Sequence, residues 1–306
     1  MMRKVIKRIK SLLFWEIWTK QAQFDVSLAD LSKRVDAQIE IGQRQLTVKY
    51  HDLKNRTPSK ILPLNQTGFR VFSQFDEDGI LLYIFSIIGA NTQTCVEIGS
   101  SDGIECNTAN LIVYHGWKGL FIDGNERLIK VGRNFYATHL GAVLNEPVFA
   151  HSWITKDNIN QTILDSGFSG EVDLLSVDID GVDYYIMEAI EAITPRVIIC
   201  EIHSGIPLDK PLTIPYSDDF YAMNKPYPDN QFRSLSLCAA NKLMTKKGYR
   251  LIGAHKFGFN VIFMKNGCGD SEFPAIALEE TQGPLFDKKA MANQWEEIKG
   301  FGWIEV

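Results

Sequence analysis

A glycine-containing turn follows an apolar segment in the first third of the chain. Residues 95–103 read CVEIGSSDG, so a predicted strand leads into the pattern Glu-x-Gly-x-x-x-Gly. In nucleotide-binding folds, a glycine at the position of Gly99 lets the backbone turn sharply towards a ligand, and an acidic residue such as Glu97 accepts hydrogen bonds from it. A second apolar segment, 119–122, ends in Asp123, where a ribose-binding carboxylate belongs. These two segments predict a site for a nucleoside-containing ligand.

Two ligands fit such a site, a dinucleotide or S-adenosylmethionine. A pyrophosphate requires a tighter G-x-G-x-x-G turn, in which backbone amides and a helix N-terminus face the phosphates. The turn in this chain lacks that pattern and instead contains carboxylates and hydroxyls: Glu97, Asp102, Ser100 and Ser101. Such groups repel phosphate and suit the ammonium and sulfonium charges of S-adenosylmethionine. The turn therefore favours a methyl donor over NAD, and a strand-turn-helix unit without a ligand is the third interpretation.

Ionisable side chains follow two further apolar segments. The fourth predicted strand ends near Asp178 and Asp180, and the fifth ends near Glu201 and His203. Because strand side chains alternate between faces with a period of two, each pair shares one face of the sheet. An unpaired charge is costly to bury, so these four groups imply a ligand, a metal ion or an ion pair.

The same four side chains are the candidates for catalysis. Methyl transfer requires alignment of donor and acceptor and removal of the acceptor's proton. His203 is the candidate base, because an imidazole has an unperturbed pKa of about 6.5, and Asp180 and Glu201 are expected beside it. In a second interpretation, Asp178, Asp180 and His203 hold Mg²⁺ or another divalent ion, which lowers the pKa of the acceptor. A structural or acceptor-orienting role is the third.

Strands and helices alternate through the central part of the chain at the spacing of a parallel sheet. The predicted strands are 94–98, 119–123, 142–149, 172–178 and 196–202. The predicted helices between them are 105–115, 126–137, 156–166 and 182–192. Residues 249–254 and 260–265 are joined by a connection too short for a helical crossover, so an antiparallel hairpin is expected. This pattern predicts an α/β fold with the Rossmann-like sheet of class I methyltransferases, strand order 3-2-1-4-5-7-6, and the last strand antiparallel.

A segment rich in proline, tyrosine and aspartate, residues 207–233, interrupts this alternation after the fifth strand. An insertion at the carboxyl end of a strand overhangs the ligand crevice of an open α/β sheet. The segment is therefore the candidate lid over the acceptor, and a simple surface excursion is the alternative.

The composition argues against several classes of protein. The 306 residues carry 32 lysines and arginines and 37 aspartates and glutamates, a net charge of −5 that disfavours nucleic acid as a substrate and leaves only a local basic patch open. Five cysteines are scattered without a C-x-x-C pair, so neither a disulfide framework nor a zinc site is predicted. A reducing cytoplasm fits these cysteines best. The length suits one catalytic domain with extensions.

The first 18 residues combine basic and aromatic side chains and predict a basic amphipathic helix too short to span a bilayer. Packing of this helix on the domain or on a partner subunit is the first interpretation, and contact with the inner face of a membrane is the second. Apolar residues at helical spacing predict another helix within 27–41, and residues 55–68 are interpreted as a linker. The predicted domains are 1–55, an N-terminal helical extension, 56–272, the catalytic domain, and 273–306, a C-terminal extension.

These motifs resemble the FkbM-type S-adenosylmethionine-dependent methyltransferases, whose bacterial members are related to polysaccharide and glycan modification. The resemblance covers about residues 70–266 and rests on SQFDEDGIL, CVEIGSSDGIECNT, GWKGLFIDGN, DLLSVDIDGVDYYI, PRVIICEIHS and KKGYRLIGAHKFGFNVIFMKN. It implies that Asp123 contacts the ribose and that Asp178 and Asp180 lie at the donor edge or the acceptor. Family relatives carry asparagine at the position of His203, so the resemblance does not support a histidine base. The residues expected to bind the donor are Gln74, Glu97, Gly99, Ser100, Asp102, Gly103, Asp123, Gly124 and Asp178.

The sequence thus predicts an S-adenosylmethionine-dependent O-methyltransferase that acts in the cytoplasm on a sugar hydroxyl of a surface glycan or its precursor. A peripheral membrane contact through residues 1–18 and a homo-oligomer are further expectations. One alternative is a non-enzymatic glycan-assembly protein that retains the fold. The other is an NAD-dependent oxidoreductase, which the missing third glycine and the terminal hairpin disfavour.

Overall fold

The structure is a computed structural model that describes residues 2–56, 62–139, 141, 145–221 and 225–306, with side chains from residue 14 onwards. It divides into two compact units, residues 1–49 and residues 50–306. The basic side chains of residues 3–10 and part of the predicted linker lie outside the described residues. Within the described part, no helix is both long enough and apolar enough to cross a membrane.

One continuous helix, α1, runs over Met2–Arg56. The prediction of separate helices in this part of the chain was wrong. Residues 19–27 contain neither proline nor glycine, and their hydroxyl groups bond to the helix itself. Thr19 donates to the carbonyl of Trp15 at 2.8 Å and Ser27 donates to that of Gln23 at 2.9 Å. The helix therefore has no breaker and no competing turn where the two predicted segments meet.

The second unit alternates strands and helices. Its main strands are β1 Thr94–Ile98, β2 Lys118–Asp123, β3 Val148–His151, β4 Gly170–Val177, β5 Ile193–Glu201, β6 Leu212–Thr213, β7 Tyr249–Ala254, β8 Asn260–Lys265 and β9 Ile304–Glu305. Its α-helices are α2 Glu77–Ile88, α3 Ala109–His115, α4 Glu126–Thr138, α5 Ile159–Asp165, α6 Asp183–Ala189, α7 Leu237–Lys246 and α8 Lys288–Ile298. Three short 3₁₀-helices are also present in the described residues: Leu64–Gln66, Asp229–Gln231 and Leu278–Thr281.

Seven strands form the central sheet, in the order β3-β2-β1-β4-β5-β8-β7. The two-residue strand β6 lies outside this sheet, so the order is the predicted 3-2-1-4-5-7-6 when β6 is left out of the numbering. The strands β1 to β5 pair in parallel, and β8 pairs antiparallel with both β5 and β7. The predicted class I methyltransferase sheet and its terminal hairpin are confirmed.

The central strands are covered on both faces, which explains their unbroken apolar sequences. Residues 172–177 of β4 and residues 195–200 of β5 are all buried. Helix α4 buries one stripe, Ile129, Gly132 and Tyr136, whereas residues 77–87 of α2 are all buried. This packing fixes the carboxyl ends of β1, β2 and β4 next to one another, which is where the sequence places its polar residues.

Two elements differ from their predicted bounds. Helix α3 begins at Ala109 instead of residue 105, because the amides of Asn107 and Thr108 donate to the carboxylate of Glu97 at 3.3 and 3.0 Å and do not start a helix. Strand β3 covers Val148–His151, whereas the predicted strand began at residue 142, in a stretch that lies partly outside the described residues.

The predicted lid segment and the C-terminal residues meet in a second, small sheet. Strand β6, within residues 207–233, pairs antiparallel with β9 near the C-terminus. The residue after β9, Val306, donates its amide to the carbonyl of Pro211 at 2.9 Å. The C-terminal residues therefore hold one end of the segment that was predicted to cover the acceptor.

The turn after β1 approaches the end of β4 at Gly99. A Cβ atom at this position would lie 1.7 Å from the carbonyl oxygen of Asp178, and Gly99 has a φ of +79°. Any other residue would both clash with the neighbouring strand and adopt an unfavourable backbone conformation. Glycine is therefore required for the contact between the two strand ends.

We expect Gly99→Ala to lower the free energy of unfolding by about 3–5 kcal/mol, since the left-handed conformation and the clash both contribute. Gly167→Ala is the matched control, because Gly167 has a φ of +83° and no atom within 4 Å of the added Cβ. Gly167→Ala should lower the free energy of unfolding by only about 1–2 kcal/mol. Urea denaturation of both variants checks this, and equal losses would show that the contact with Asp178 is relaxed in solution.

Candidate functional site

A cavity of about 730 Å³ lies at the carboxyl ends of β1, β2, β3 and β4. Its volume is within the range of small-molecule sites, and its position is the crevice where open α/β sheets bind ligands. Five parts of the second unit line it: Gly99 and Ser101 after β1, residues 122–128, residues 151–154, residues 178–182, and Ser217, Asp218, Phe220 and Tyr221 from the predicted lid.

The amides of the turn after β1 are bonded within the protein. Those of Gly99 and Ser100 both donate to the carbonyl of Ile122, at 2.9 and 3.1 Å. The amide of Ser101 donates to the carboxylate of Asp123 at 2.7 Å. Two later amides of the turn also donate to groups within it, those of Gly103 and Ile104. These five amides therefore do not form an anion-binding nest.

Asp123 closes β2 and faces the cavity. Its two oxygens accept from the amides of Ser101 and Asn125, both at 2.7 Å. Each carboxylate oxygen has a further lone pair, so both remain able to accept hydrogen bonds from ligand hydroxyls. The two amide bonds fix the orientation of the carboxylate at the position expected for a ribose contact.

Glu97 is buried and is turned away from the cavity. Besides the amides of Asn107 and Thr108, its carboxylate accepts the hydroxyl of Ser176 on β4 at 2.7 Å. Burial raises its pKa, and these hydrogen bonds oppose that shift. Glu97 thus holds the turn against β4, and its predicted contact with the donor stays a prediction.

A tight turn follows β4 and presents two carboxylates. Asp183 holds this turn, because its two oxygens accept the amides of Ile179 and Gly181, each at 2.9 Å. Asp180 adopts a φ of +54°, a conformation that aspartate tolerates better than most residues. Its carboxylate pairs with the guanidinium of Arg233. Asp178 and Asp180 therefore both line the cavity in fixed positions.

Asp178 and Glu201 form a carboxyl pair at the ends of β4 and β5. The pKa of Asp178 is raised to about 7, first by burial and then by the charges of Asp180 and Asp183, while a hydrogen bond with Glu201 opposes the shift. The pKa of Glu201 is raised well above its usual value by burial and by the charge of Asp178. Both pKa values are therefore raised, because ionisation of one carboxyl group disfavours ionisation of the other.

His203 lies outside the lining of the cavity. Its ring is buried against Trp303, with ring centroids 5.8 Å apart, and its Nδ1 accepts the amide of Gly205 at 3.2 Å. Burial lowers its pKa to about 4. The imidazole is neutral at pH 7 and the lone pair at Nδ1 is already used, so this placement does not favour His203 as the base. That role stays a prediction.

The predicted site residues fall into two groups. Those that line the cavity are Gly99, Asp123, Gly124, Asp178 and Asp180. Those that do not are Gln74, Glu97, Ser100, Asp102, Gly103, Glu201 and His203. Among the described residues, the carboxylates that come together are Asp178, Asp180 and Glu201, with oxygens within 4.8 Å of one another. The structure does not place His203 in that cluster, so the predicted metal set Asp178, Asp180 and His203 is not assembled as expected.

Sequence reasoning missed the residues that follow β3. Trp153 is half exposed, packs over Gly124, and donates its indole N–H to the carbonyl of Asp218 at 2.6 Å. His151 lies opposite Asp123 in the β2–β3 pairing and bonds to the carbonyl of Gly124 at 3.1 Å. The available signal was their position, because residues just after a parallel strand face the ligand crevice.

No family model matches the chain, and no curated protein matches it either. Several solved structures are similar to it at low identity. The N-terminal domain of EvdMO1 with SAH bound is 12% identical and covers 72% of this chain and 96% of that chain, with a TM-score of 0.40. An S-adenosylmethionine-dependent methyltransferase from Clostridium acetobutylicum ATCC 824 is 12% identical, with 70% of this chain and 95% of that chain covered and a TM-score of 0.39.

Monomeric WbdD is a third similar structure, 14% identical, with 56% of this chain and 36% of that chain covered and a TM-score of 0.34. The match thus spans about a third of the length of WbdD. Another structure of WbdD is described as a bifunctional kinase-methyltransferase.

Replacing Glu97 with glutamine tests its role in holding the turn. An amide offers only one acceptor oxygen, so one of the three donors, Asn107 N, Thr108 N or Ser176 Oγ, loses its partner. We expect the free energy of unfolding to fall by about 1–3 kcal/mol, measured by urea denaturation. The exposed Glu188→Gln is the control and should change it by no more than about 0.5 kcal/mol. If Glu97→Gln left the free energy of unfolding unchanged, the proposed role of Glu97 in holding the turn would be contradicted.

Proposed function

We propose that this protein is an S-adenosylmethionine-dependent methyltransferase. The observation that carries the proposal is the lining of the cavity: an acidic crevice at the ends of the central strands, next to a turn whose amides are already bonded. The described lining residues include five carboxylates and one arginine: Asp123, Glu126, Asp178, Asp180, Asp218 and Arg127. Such a surface favours a ligand that carries positive charge.

The same observation disfavours an NAD-dependent oxidoreductase. Binding of a pyrophosphate needs free backbone amides or basic side chains at the turn after the first strand. Here the amides of Gly99, Ser100 and Ser101 are bonded to Ile122 and Asp123. A phosphate would have to displace those bonds and approach several carboxylates.

The residues present fit the methyl donor. Asp123 would accept the ribose hydroxyls, and Trp153 beside Gly124 offers an aromatic wall for the adenine ring. Gly99 lines the cavity at the turn, while Asp178 and Asp180 would face the ammonium and sulfonium charges. When bound, S-adenosylmethionine supplies a methyl carbon that is activated for displacement by its sulfonium.

Asp178 is the proposed general base. In the ionised form it accepts the proton of the acceptor hydroxyl as the new oxygen–carbon bond forms. Glu201 keeps its own proton and donates a hydrogen bond to Asp178, which holds that carboxylate in place. Asp180, paired with Arg233, orients the turn and raises the pKa of Asp178 through its charge. Of the predicted catalytic residues, Asp180 and Glu201 thus act through Asp178.

We infer that the acceptor is a sugar hydroxyl in a glycan or a glycan precursor. Support comes from two aromatic side chains of the predicted lid that line the cavity, Tyr221 and Phe220, the latter packed over Gly181. Aromatic faces suit the apolar faces of sugar rings. The segment that carries Phe220 and Tyr221 would be the acceptor lid. Membership of the FkbM-type family is part of the same proposal and rests on the motifs.

A divalent cation at Asp178, Asp180 and Glu201 is the second mechanism. The guanidinium of Arg233 already pairs with Asp180, so a cation would have to share or replace that partner. We therefore favour proton transfer to Asp178 over coordination of the acceptor to a metal.

Calorimetric titration with S-adenosylhomocysteine tests the donor site. We expect binding with a Kd in the micromolar range or below, no binding of NAD, and at least about a tenfold loss of affinity for Asp123→Ala, because one lost charge-assisted hydrogen bond costs about 1.5–3 kcal/mol. The control is Asp165→Ala on the exposed face of α5, which should bind normally.

Thermal melting of both variants separates lost contacts from lost folding. If wild-type protein binds neither S-adenosylhomocysteine nor S-adenosylmethionine, the methyltransferase proposal is wrong, and a role in glycan assembly without catalysis becomes the better interpretation. Binding of NAD would instead support the oxidoreductase.

The pH dependence of turnover tests the base. Because the ionised form of Asp178 accepts the proton, we expect kcat to rise with pH through an apparent pKa of about 7. Asp178→Asn should lower kcat about 10²- to 10⁴-fold. Asp180→Asn removes a negative neighbour, lowers the pKa of Asp178 and should move the rise to lower pH.

Glu201→Gln is the matched control, because glutamine replaces a neutral carboxyl group and can still donate to Asp178. The pH at the midpoint of the rise in kcat should therefore change little. Full activity of Asp178→Asn with an unchanged profile would eliminate this base, and loss of turnover on chelation with EDTA would favour the metal mechanism.

A further inference from the structure

One face of α1 carries large apolar side chains that are exposed. Seven positions between residues 14 and 35 recur at alternating spacings of three and four: Phe14, Ile17, Gln21, Phe24, Leu28, Leu31 and Val35. We call these residues the heptad stripe. The six apolar members expose 48–71% of their surface, whereas core residues of the second unit expose less than a tenth. A long helix with such a stripe requires a partner surface.

We propose that the heptad stripe pairs with the same stripe of a second copy of this chain, forming a parallel two-stranded coiled coil. The spacing is the a and d pattern of a left-handed coiled coil, with Phe14, Gln21, Leu28 and Val35 at a. Three heptads give a seam about 33 Å long at 1.5 Å per residue. A stripe of this period packs along its whole length only against another helix that supercoils with it.

The charged residues beside the stripe favour a second copy in parallel orientation. Lys20 occupies a g position and Asp25 the following e position, so a parallel, in-register pair places Lys20 of each helix against Asp25 of the other. Asp25 also accepts a hydrogen bond from Gln21 of its own helix at 2.8 Å. In an antiparallel pair e positions face e positions and g positions face g positions, so Lys20 and Asp25 would not meet.

Gln21 is the one polar residue among the seven positions of the stripe. A polar side chain at an a position favours the register in which it meets its counterpart across the seam, and Gln21 can do so in addition to its bond with Asp25 of its own helix. In a parallel, in-register pair, Gln21 of one helix faces Gln21 of the other. Its position therefore selects the register that Lys20 and Asp25 also favour.

The charge around the stripe does not suit an anionic membrane. Residues 14–36 contain four acidic residues and three basic ones, which gives a net charge of −1 (3 − 4). The acidic residues are Glu16, Asp25, Asp30 and Asp36. An amphipathic helix on a membrane surface has a lysine- and arginine-rich polar face. The basic residues at positions 3–10 lie before the stripe, so the polar face along the stripe itself is not basic.

Light scattering coupled to size exclusion tests the proposal on the full chain. We expect the wild-type protein to have a mass of about 69 kDa, twice the 34.6 kDa of one chain. Leu28→Asp/Leu31→Asp should be monomeric at the same concentration. Val26→Asp is the matched control, because Val26 is 71% exposed on the same helix but lies off the stripe, and it should stay dimeric.

Circular dichroism and thermal melting check that the variants keep the fold of the second unit. A wild-type monomer at about 50 μM overturns the proposal, as does a dimer that Leu28→Asp/Leu31→Asp leaves intact. Sedimentation with phosphatidylglycerol vesicles is run in parallel. A wild-type protein that is monomeric and pellets with the vesicles through the stripe would assign the surface to lipid instead.

Orientation is tested by charge reversal and cross-linking. Lys20→Glu should weaken the dimer, and Lys20→Glu/Asp25→Lys should restore it. Val35→Cys should form an intermolecular disulfide on mild oxidation, because equal positions meet in a parallel pair, whereas Val26→Cys should not. A dimer in which Val35→Cys fails to cross-link and charge reversal has no effect would rule out the parallel arrangement.

Discussion

The second unit depends on the contact between the turn after β1 and the end of β4. Gly99 permits this contact because no Cβ separates it from the carbonyl of Asp178. The amide of Asp178 in turn donates to Ile98 at 3.0 Å, and the amide of Gly99 donates to Ile122 at 2.9 Å. Three strand ends are thereby joined by backbone bonds. The cavity, its acidic lining and the carboxyl pair all take their positions from this junction.

Carboxylates serve two different purposes around that junction. Glu97, Asp78 and Asp183 are buried, and each accepts at least two backbone amides, which offsets much of the cost of burying its charge. These three groups hold turns in place. Burial raises the pKa of carboxyl groups in both sets, so the pKa alone does not distinguish them. Asp178 and Glu201 differ because they bond to one another, and it is the hydrogen-bond partners of a carboxylate that separate structural from chemical roles here.

The alternation of apolar segments, together with the terminal hairpin, indicated the class I methyltransferase sheet, whose strand order is the one observed. The turn after β1 and Asp123 were likewise predictable from local spacing. Other features depend on contacts that no local pattern reveals. The start of α3 is delayed by the distant Glu97, Trp153 reaches the cavity only through the pairing of β2 with β3, and Asp183 looks like an ordinary helix start. His203 shares the period of Glu201, but β5 ends at Glu201, so the alternation no longer predicts where His203 points.

The two units differ in how their apolar residues are buried. In the second unit, the sheet and its helices bury their apolar faces within one chain, and the polar groups left over gather in the crevice. The first unit consists of a single helix, which cannot bury its own stripe. Its apolar residues therefore stabilise the helix only when a partner covers them. The helix is therefore expected to be most stable when two chains meet. The stability of the helix then depends on protein concentration. The geometry of the carboxyl pair does not, because Asp178 and Glu201 take their positions from one chain alone.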